Sequence, residues 1–147
     1  MIEPTVSVRI DNFHYENTYK RLCQSDTGKS KKDLTFPTMW ELFVWGAIIG
    51  FKNKCPKEIS KAYATPPFKW QVIKDPHEKL LLIFAVEATG SFDILKDPDE
   101  LKKIIETHSN GGLDLVQDSI AFDPLSYQNT ESLISEIQRR LNTPAEI

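Results

Sequence analysis

The fold of this chain is set around residues 38–50, which read Thr38-Met39-Trp40-Glu41-Leu42-Phe43-Val44-Trp45-Gly46-Ala47-Ile48-Ile49-Gly50. Thr38 followed three residues later by Glu41 is the pattern of a capping box, which predicts the start of a helix. The residues after it are apolar almost all the way round, so this helix must be covered on most sides, by the chain's own core or by another subunit. Gly50 is predicted to end the helix in the left-handed conformation.

On the N-terminal side, the pattern predicts a short strand and a helix. Val6–Ile10 alternates apolar and polar residues, which is typical of a strand. From about Phe13 to Cys23, apolar and aromatic residues recur at helical spacing, and residues 25–35 have the composition of an exposed basic loop.

On the C-terminal side, residues 52–67 are predicted to form a second exposed basic loop. Phe68–Ile73 alternates and predicts a second strand. Asp75-Pro76-His77-Glu78 is a helix start, with Asp as N-cap and Pro at the first helical position. The apolar run Leu80–Val86 would fit a buried strand by itself, but this cap and the following Gly90 favour a helix.

Three more helices are predicted towards the C-terminus. Asp97-Pro98-Asp99-Glu100 starts a helix that is expected to stop at Asn110-Gly111-Gly112. A separate helix, Leu113–Ala121, is expected to end at Asp123-Pro124, and the last helix runs from about Thr130 to Leu141.

The fold class that these patterns predict is mainly α: a compact single-domain bundle of five or six helices with two short peripheral β-strands. In this single domain, residues 1–147, residues 1–12 form the N-terminal strand or arm. Residues 143–147 are expected to be a disordered tail.

The composition is that of an ordinary globular domain. The 147 residues are 40% apolar and 27% charged, enough for one domain with a real core. Cys23 and Cys55 are too few for a disulfide framework, and the start Met1-Ile2-Glu3-Pro4 lacks the regions of a signal peptide. We therefore expect a cytoplasmic protein with reduced, partly buried thiols and no membrane contact.

The net charge of −3 is unevenly distributed. Residues 1–75 contain twelve Lys and Arg against eight Asp and Glu, whereas residues 76–147 contain six against thirteen. This arrangement suits self-association or docking on a partner of mixed charge, and it is not that of a strongly basic DNA-binding protein.

Catalytic, cofactor and metal sites are not predicted. Thr27-Gly28-Lys29-Ser30 resembles the end of a P-loop, but Cys23 stands where the motif needs its first glycine. The three histidines are far apart, without metal-ligand spacing, and are expected at the surface near helix ends or in loops. Glu87 is embedded in an apolar stretch: it lies on the polar edge of its helix, or it is a buried general acid or base.

The best positive signal is a run of lysines with a tryptophan: Lys52, Lys54, Lys57, Lys61, Lys69, Trp70 and Lys74. Lysines bind phosphates without reading sequence, and Trp70 is suited to stack on an exposed base. The same residues also fit an acidic protein surface, or a solvated loop with a core tryptophan.

Three blocks resemble the small DNA phosphorothioation-associated (Dnd-system-associated) protein family. They are Phe36-Pro37-Thr38-Met39 with the helix up to Gly50-Phe51, then Ala85–Leu95 (AVEATGSFDIL), and Ser109–Leu115 (SNGGLDL), in the family's order. The resemblance extends over most of residues 13–121. It implies a bacterial setting beside DNA sulphur-modification or other anti-phage defence genes, and it assigns no catalytic residues.

Three functional hypotheses follow. The first is a non-catalytic accessory subunit that docks on a larger defence protein through its aromatic helix, with Trp40, Phe43 and Trp45 at the interface, and through its acidic C-terminal half. In this hypothesis residues 52–74 also contact DNA phosphates. The second is a stand-alone DNA-binding module that uses the basic loop. The third is a small enzyme with a site around Glu87.

Overall fold

A computed structural model describes residues 2–23, 35–125, 127 and 130–142. Helix α1 consists of three consecutive pieces, Asn12–His14, a π-helical turn Tyr15–Tyr19, and Lys20–Cys23. The other helices are α2 (Met39–Lys52), α3 (His77–Thr89), α4 (Pro98–Phe122) and α5 (Thr130–Asn142). Two short 3-10 turns are Trp70–Val72 and Phe92–Lys96. The prediction of a mainly helical bundle is confirmed, and most of the loop 25–35 and the whole tail 143–147 lie outside the described residues.

Local end signals placed several helix boundaries correctly. The Asp97 side chain accepts a hydrogen bond from the Glu100 amide at 3.2 Å, as an N-cap of α4 does. Gly90 ends α3 in the left-handed conformation with φ of 71°. At the start of α2, the Thr38 hydroxyl instead donates to the Glu41 carboxylate at 2.5 Å, so the predicted reciprocal capping of backbone amides is wrong in detail.

The crossing of α2 and α4 is made by glycines inside both helices. A Cβ atom at Gly50 would lie 1.8 Å from the His108 carbonyl oxygen, and one at Gly112 would lie 1.8 Å from the Gly46 carbonyl oxygen. These glycines let the two backbones touch and do not end either helix. The predicted helix end at Gly50, and the predicted break that would start a new helix at Leu113, are therefore wrong.

The two predicted strands are also wrong, because the described residues contain no strand. Residues 6–10 and 68–73 do run antiparallel: the Val8 amide donates to the Phe68 carbonyl at 3.0 Å, and the Trp70 amide donates to the Val6 carbonyl at 2.8 Å. The pairing is limited to isolated bridges such as Ser7–Lys69, and the chain then turns into the 3-10 turn at Trp70. The alternating pattern reflects extended backbone with one buried face.

The N-terminal arm, residues 2–11, is part of the same core as the helices. Its buried apolar side chains are Ile2, Val8 and Ile10. The nearly buried carboxylate of Glu106 on α4 accepts hydrogen bonds from the Arg9 amide at 2.6 Å and from the Lys102 ammonium at 2.8 Å. This charge-assisted contact fastens the arm against α4.

Candidate nucleic-acid interface

Residues 52–74, hereafter the basic segment, connect α2 to α3 and contain six lysines and one glutamate. All six lysine side chains are exposed. The segment includes Lys52, the last residue of α2, an irregular stretch, and the 3-10 turn Trp70–Val72. The structure therefore presents the predicted lysines on the surface.

The lysines of the basic segment differ from the other described lysines in their ion pairing. The five described lysines outside the segment all lie within 4.0 Å of a carboxylate: Lys20, Lys79, Lys96, Lys102 and Lys103. Inside the segment, Lys57 alone has an ion pair with a described carboxylate. The cations without such a pair are Lys52, Lys54, Lys61, Lys69 and Lys74. The unpaired lysines of the described surface therefore all lie in this segment.

Lys57 belongs to a polar cluster that joins the basic segment to α1 and α4. Its ammonium lies 2.7 Å from one oxygen of Asp114, and the other oxygen accepts a hydrogen bond of 2.7 Å from His14 Nε2. Because the carboxylate only accepts, Nε2 carries the proton, and Nδ1 accepts from the Thr18 hydroxyl at 2.7 Å. Burial lowers the pKa of His14 although Asp114 opposes that shift. The expectation that this histidine lies at the surface is wrong, since it is 1% exposed.

The backbone of the segment is fastened at several further points. The Asn110 side-chain amide donates to the carbonyls of Lys57 and Glu58 at 3.1 Å each. The Asp11 carboxylate accepts from the amide of Ser60 at 2.9 Å and from its hydroxyl at 3.2 Å. Burial raises the pKa of Asp11, but the hydrogen bonds from the Phe13 amide and from the amide and hydroxyl of Ser60, together with the nearby His14, lower it overall. No local motif reveals these contacts, because the partners are about fifty residues or more apart.

Trp70 is enclosed in the core. It is 2% exposed, and its indole N–H donates to the Glu78 carboxylate at 2.7 Å. The predicted stacking on a base would need a face of the indole that this packing covers.

The aromatic residues proposed as a protein interface occupy two kinds of position. Phe43 is buried and packs edge-on against Phe68 with ring centroids 5.5 Å apart. Trp40 and Trp45 are half-buried: Trp40 lies edge-on to His77, and the Trp45 indole N–H donates to the Tyr127 hydroxyl at 3.1 Å. The chain's own core therefore covers much of α2.

Sequence reasoning missed a cavity of about 490 Å³ beside the basic segment. Its lining includes Lys54, Phe51, Phe84, Glu87 and His108. His108 was expected near a helix end at the surface, but it lies in the middle of α4 and is buried. Because the helix was wrongly predicted to stop at Gly111 and Gly112, this histidine was expected near a helix end, and the cavity beside it was not predicted.

The other residues that the sequence suggested for catalysis or metal binding lack the surroundings that these roles need. Glu87 is exposed, so it lacks the burial that the catalytic hypothesis required. Both cysteines are free thiols, and burial raises the pKa of Cys23 to about 12. Among residues 2–23, 35–125, 127 and 130–142, no group of three or more His, Cys, Asp and Glu side chains is placed to hold a metal ion. The P-loop-like Thr27–Ser30 lies outside the described residues.

None of the helices in the described part of the chain is both long and apolar enough to cross a membrane.

Comparison with known proteins agrees with the resemblance noted in the sequence. Residues 13–146 match the protein-family model described as DNA sulphur modification system-associated protein 4. No curated protein and no solved structure matches the chain. The matched region contains the five helices of the described residues, apart from Asn12 at the start of α1, and the whole basic segment, and it leaves out the N-terminal arm.

Proposed function

The chain belongs to the family of DNA sulphur modification system-associated protein 4, and from this premise we propose that it is a non-catalytic accessory subunit of that system. In this proposal it serves bacterial anti-phage defence by binding a larger protein subunit and by contacting DNA phosphates through the basic segment.

The observation that carries the DNA contact is the set of five exposed lysines without an ion pair to a described carboxylate. A lysine that already neutralises a carboxylate gains less from a phosphate, because it must give up its partner. Unpaired lysines release counterions from DNA when they bind, which favours binding without base readout. The family's association with a DNA sulphur modification system favours DNA as the phosphate-bearing molecule that this surface binds.

The partner contact is supported by α2 and by the uneven charge. Trp40 and Trp45 each keep part of their surface exposed, and aromatic side chains of this kind are enriched at protein interfaces. The acidic half, residues 76–147, offers the opposite charge to a basic partner surface.

DNA binding is tested by fluorescence anisotropy on labelled duplex across a salt series. The triple variant Lys52→Ala/Lys54→Ala/Lys61→Ala removes three unpaired lysines. The matched control Lys20→Ala/Lys79→Ala/Lys96→Ala removes the same charge from ion-paired positions. We expect the first variant to flatten the slope of log K against log salt by up to about 3, since each phosphate contact contributes about 0.9, and the control to change it much less.

Two results would contradict the DNA contact: no binding of the parent protein at low salt, or equal losses in the two triple variants. Lys57 is left intact in both, because its loss would also disturb the cluster with Asp114.

Partner binding is tested by size-exclusion chromatography with light scattering, with and without the other proteins of the same system. Co-elution that Trp40→Ala weakens, at unchanged melting temperature, supports the accessory role. If the chain binds DNA but co-elutes with none of these proteins, it is a stand-alone DNA-binding module.

A further inference from the structure

The lining of the cavity of about 490 Å³ beside Lys54 includes a stack of three nearly parallel aromatic rings. Phe84 and Phe51 are stacked with centroids 5.5 Å apart at 7°, and Phe51 and His108 are stacked at 4.0 Å and 15°. The volume lies within the roughly 300–1,000 Å³ of small-molecule sites. Phe51 and His108 are buried within this stack, and the half-buried Phe84 is the ring that offers a stacking partner to a flat, polarisable ligand.

The polar groups of the cavity are mainly hydrogen-bond acceptors. His108 Nδ1 lies 2.7 Å from the Ile104 carbonyl oxygen, which can only accept, so Nδ1 carries the proton and Nε2 is left as an acceptor. His108 is 8% exposed, and Nε2 has no partner within the described residues. Burial lowers the pKa of His108, which keeps the ring neutral at pH 7. Glu87 adds an exposed carboxylate with no described partner.

Lys54 supplies the single positive charge of the described lining, and its backbone is in an unusual conformation. It lies just after α2 with φ of 50°, in the left-handed region where glycine is preferred. Its amide donates to the Phe51 carbonyl at 3.2 Å, which holds this turn. The chain thus keeps a lysine at a position that glycine would occupy with less strain.

We propose that this cavity binds an unpaired nucleobase together with its phosphate. The base stacks on Phe84, its N–H donors face Glu87 and His108 Nε2, and its phosphate contacts Lys54. Bases with an exocyclic amine satisfy these acceptors better than thymine does. The nucleotide is either free or part of single-stranded DNA, and only the DNA source rests on the function proposed above.

Isothermal titration of the full chain with dAMP, dCMP, dGMP and TMP, and with short single-stranded and duplex DNA, tests this. We expect saturable binding of the amine-bearing nucleotides or of the single strand, and weaker binding of TMP. Phe84→Leu keeps apolar volume but removes a ring, and it should weaken binding roughly tenfold, as expected for loss of base stacking.

Lys54→Ala should also weaken binding, whereas Lys79→Ala should not, since Lys79 is an exposed lysine outside both the basic segment and the cavity and already pairs with Asp75. Glu87→Gln, at an exposed position, should reduce the preference for amine-bearing bases. Circular dichroism melts show whether each variant is folded. Binding of mononucleotides identifies the free source, and binding of the single strand alone identifies DNA.

The proposal is overturned if neither mononucleotides nor single-stranded DNA bind saturably, or if Lys54→Ala and Lys79→Ala weaken binding equally. Duplex binding that depends on the basic segment but not on Phe84 or Glu87 would leave the proposed function standing and remove this site alone.

Discussion

His14 is enclosed between Thr18 and Asp114, with Asp11 and Lys57 nearby, and burial lowers its pKa below the ordinary 6.5. The unfolded chain therefore binds a proton at a higher pH than the folded protein does. Between these two pKa values the free energy of unfolding falls as the pH falls. The full stabilising contribution of neutral His14 is present above about pH 6.5. His108 shifts in the same direction through burial.

We expect stability to urea to decrease as the pH is lowered from about 7.5 to 5. His14→Gln should reduce this dependence, because it removes one of the two buried imidazoles. His77→Gln leaves both in place and is the control. Stability that rises on acidification through this range would show that His14 is not held neutral as its surroundings indicate.

Where two helices touch, their separation limits the size of the residues that fit at the contact, and α4 is the clearest case. In an open helix, alanine is preferred to glycine by about 1 kcal/mol. At Gly112 the added Cβ would meet the Gly46 carbonyl oxygen at 1.8 Å, so the helices would have to separate. We expect Gly112→Ala to lower the free energy of unfolding by about 3 kcal/mol or more.

Gly90→Ala is the matched control for this helix crossing. Nothing lies within 4 Å of a Cβ there, and φ of 71° is the source of strain. The expected cost is about 1–2 kcal/mol. Chemical denaturation measures both variants, and a Gly112→Ala protein as stable as its parent would mean that α2 and α4 do not touch at this point.

At the scale of the whole molecule, the N-terminal arm packs into the same core as the helices. Family similarity begins at residue 13, yet Ile10 is 4% exposed in the shared core. Ile10→Ala should cost about 2–5 kcal/mol and Ile10→Val about 0.5–1.5 kcal/mol, measured by denaturation. Equal stability of both variants and the parent would place the arm outside the folded unit.

Charge is also a property of the whole molecule. The basic first half and the acidic second half are visible in the sequence, but pairing decides which charges are available. Lys57 looks like its neighbours in the sequence, and its partner Asp114 lies 57 positions away. The lysines in the sequence were therefore enough to propose a DNA surface. The sequence could not show which of these lysines pair with a carboxylate and which do not.

The sequence by itself determined the helical class, several helix ends and the composition of the basic segment. These depend on residues close together in the chain: the Asp97 cap on its own first turn, the left-handed Gly90, and the break at Asp123-Pro124. Only the tertiary structure decided the unbroken α4, the buried histidines and the aromatic cavity. Each of these results from side chains and backbones that meet across the fold, as His14 and Asp114 do across 100 positions, and local patterns carry no record of such contacts.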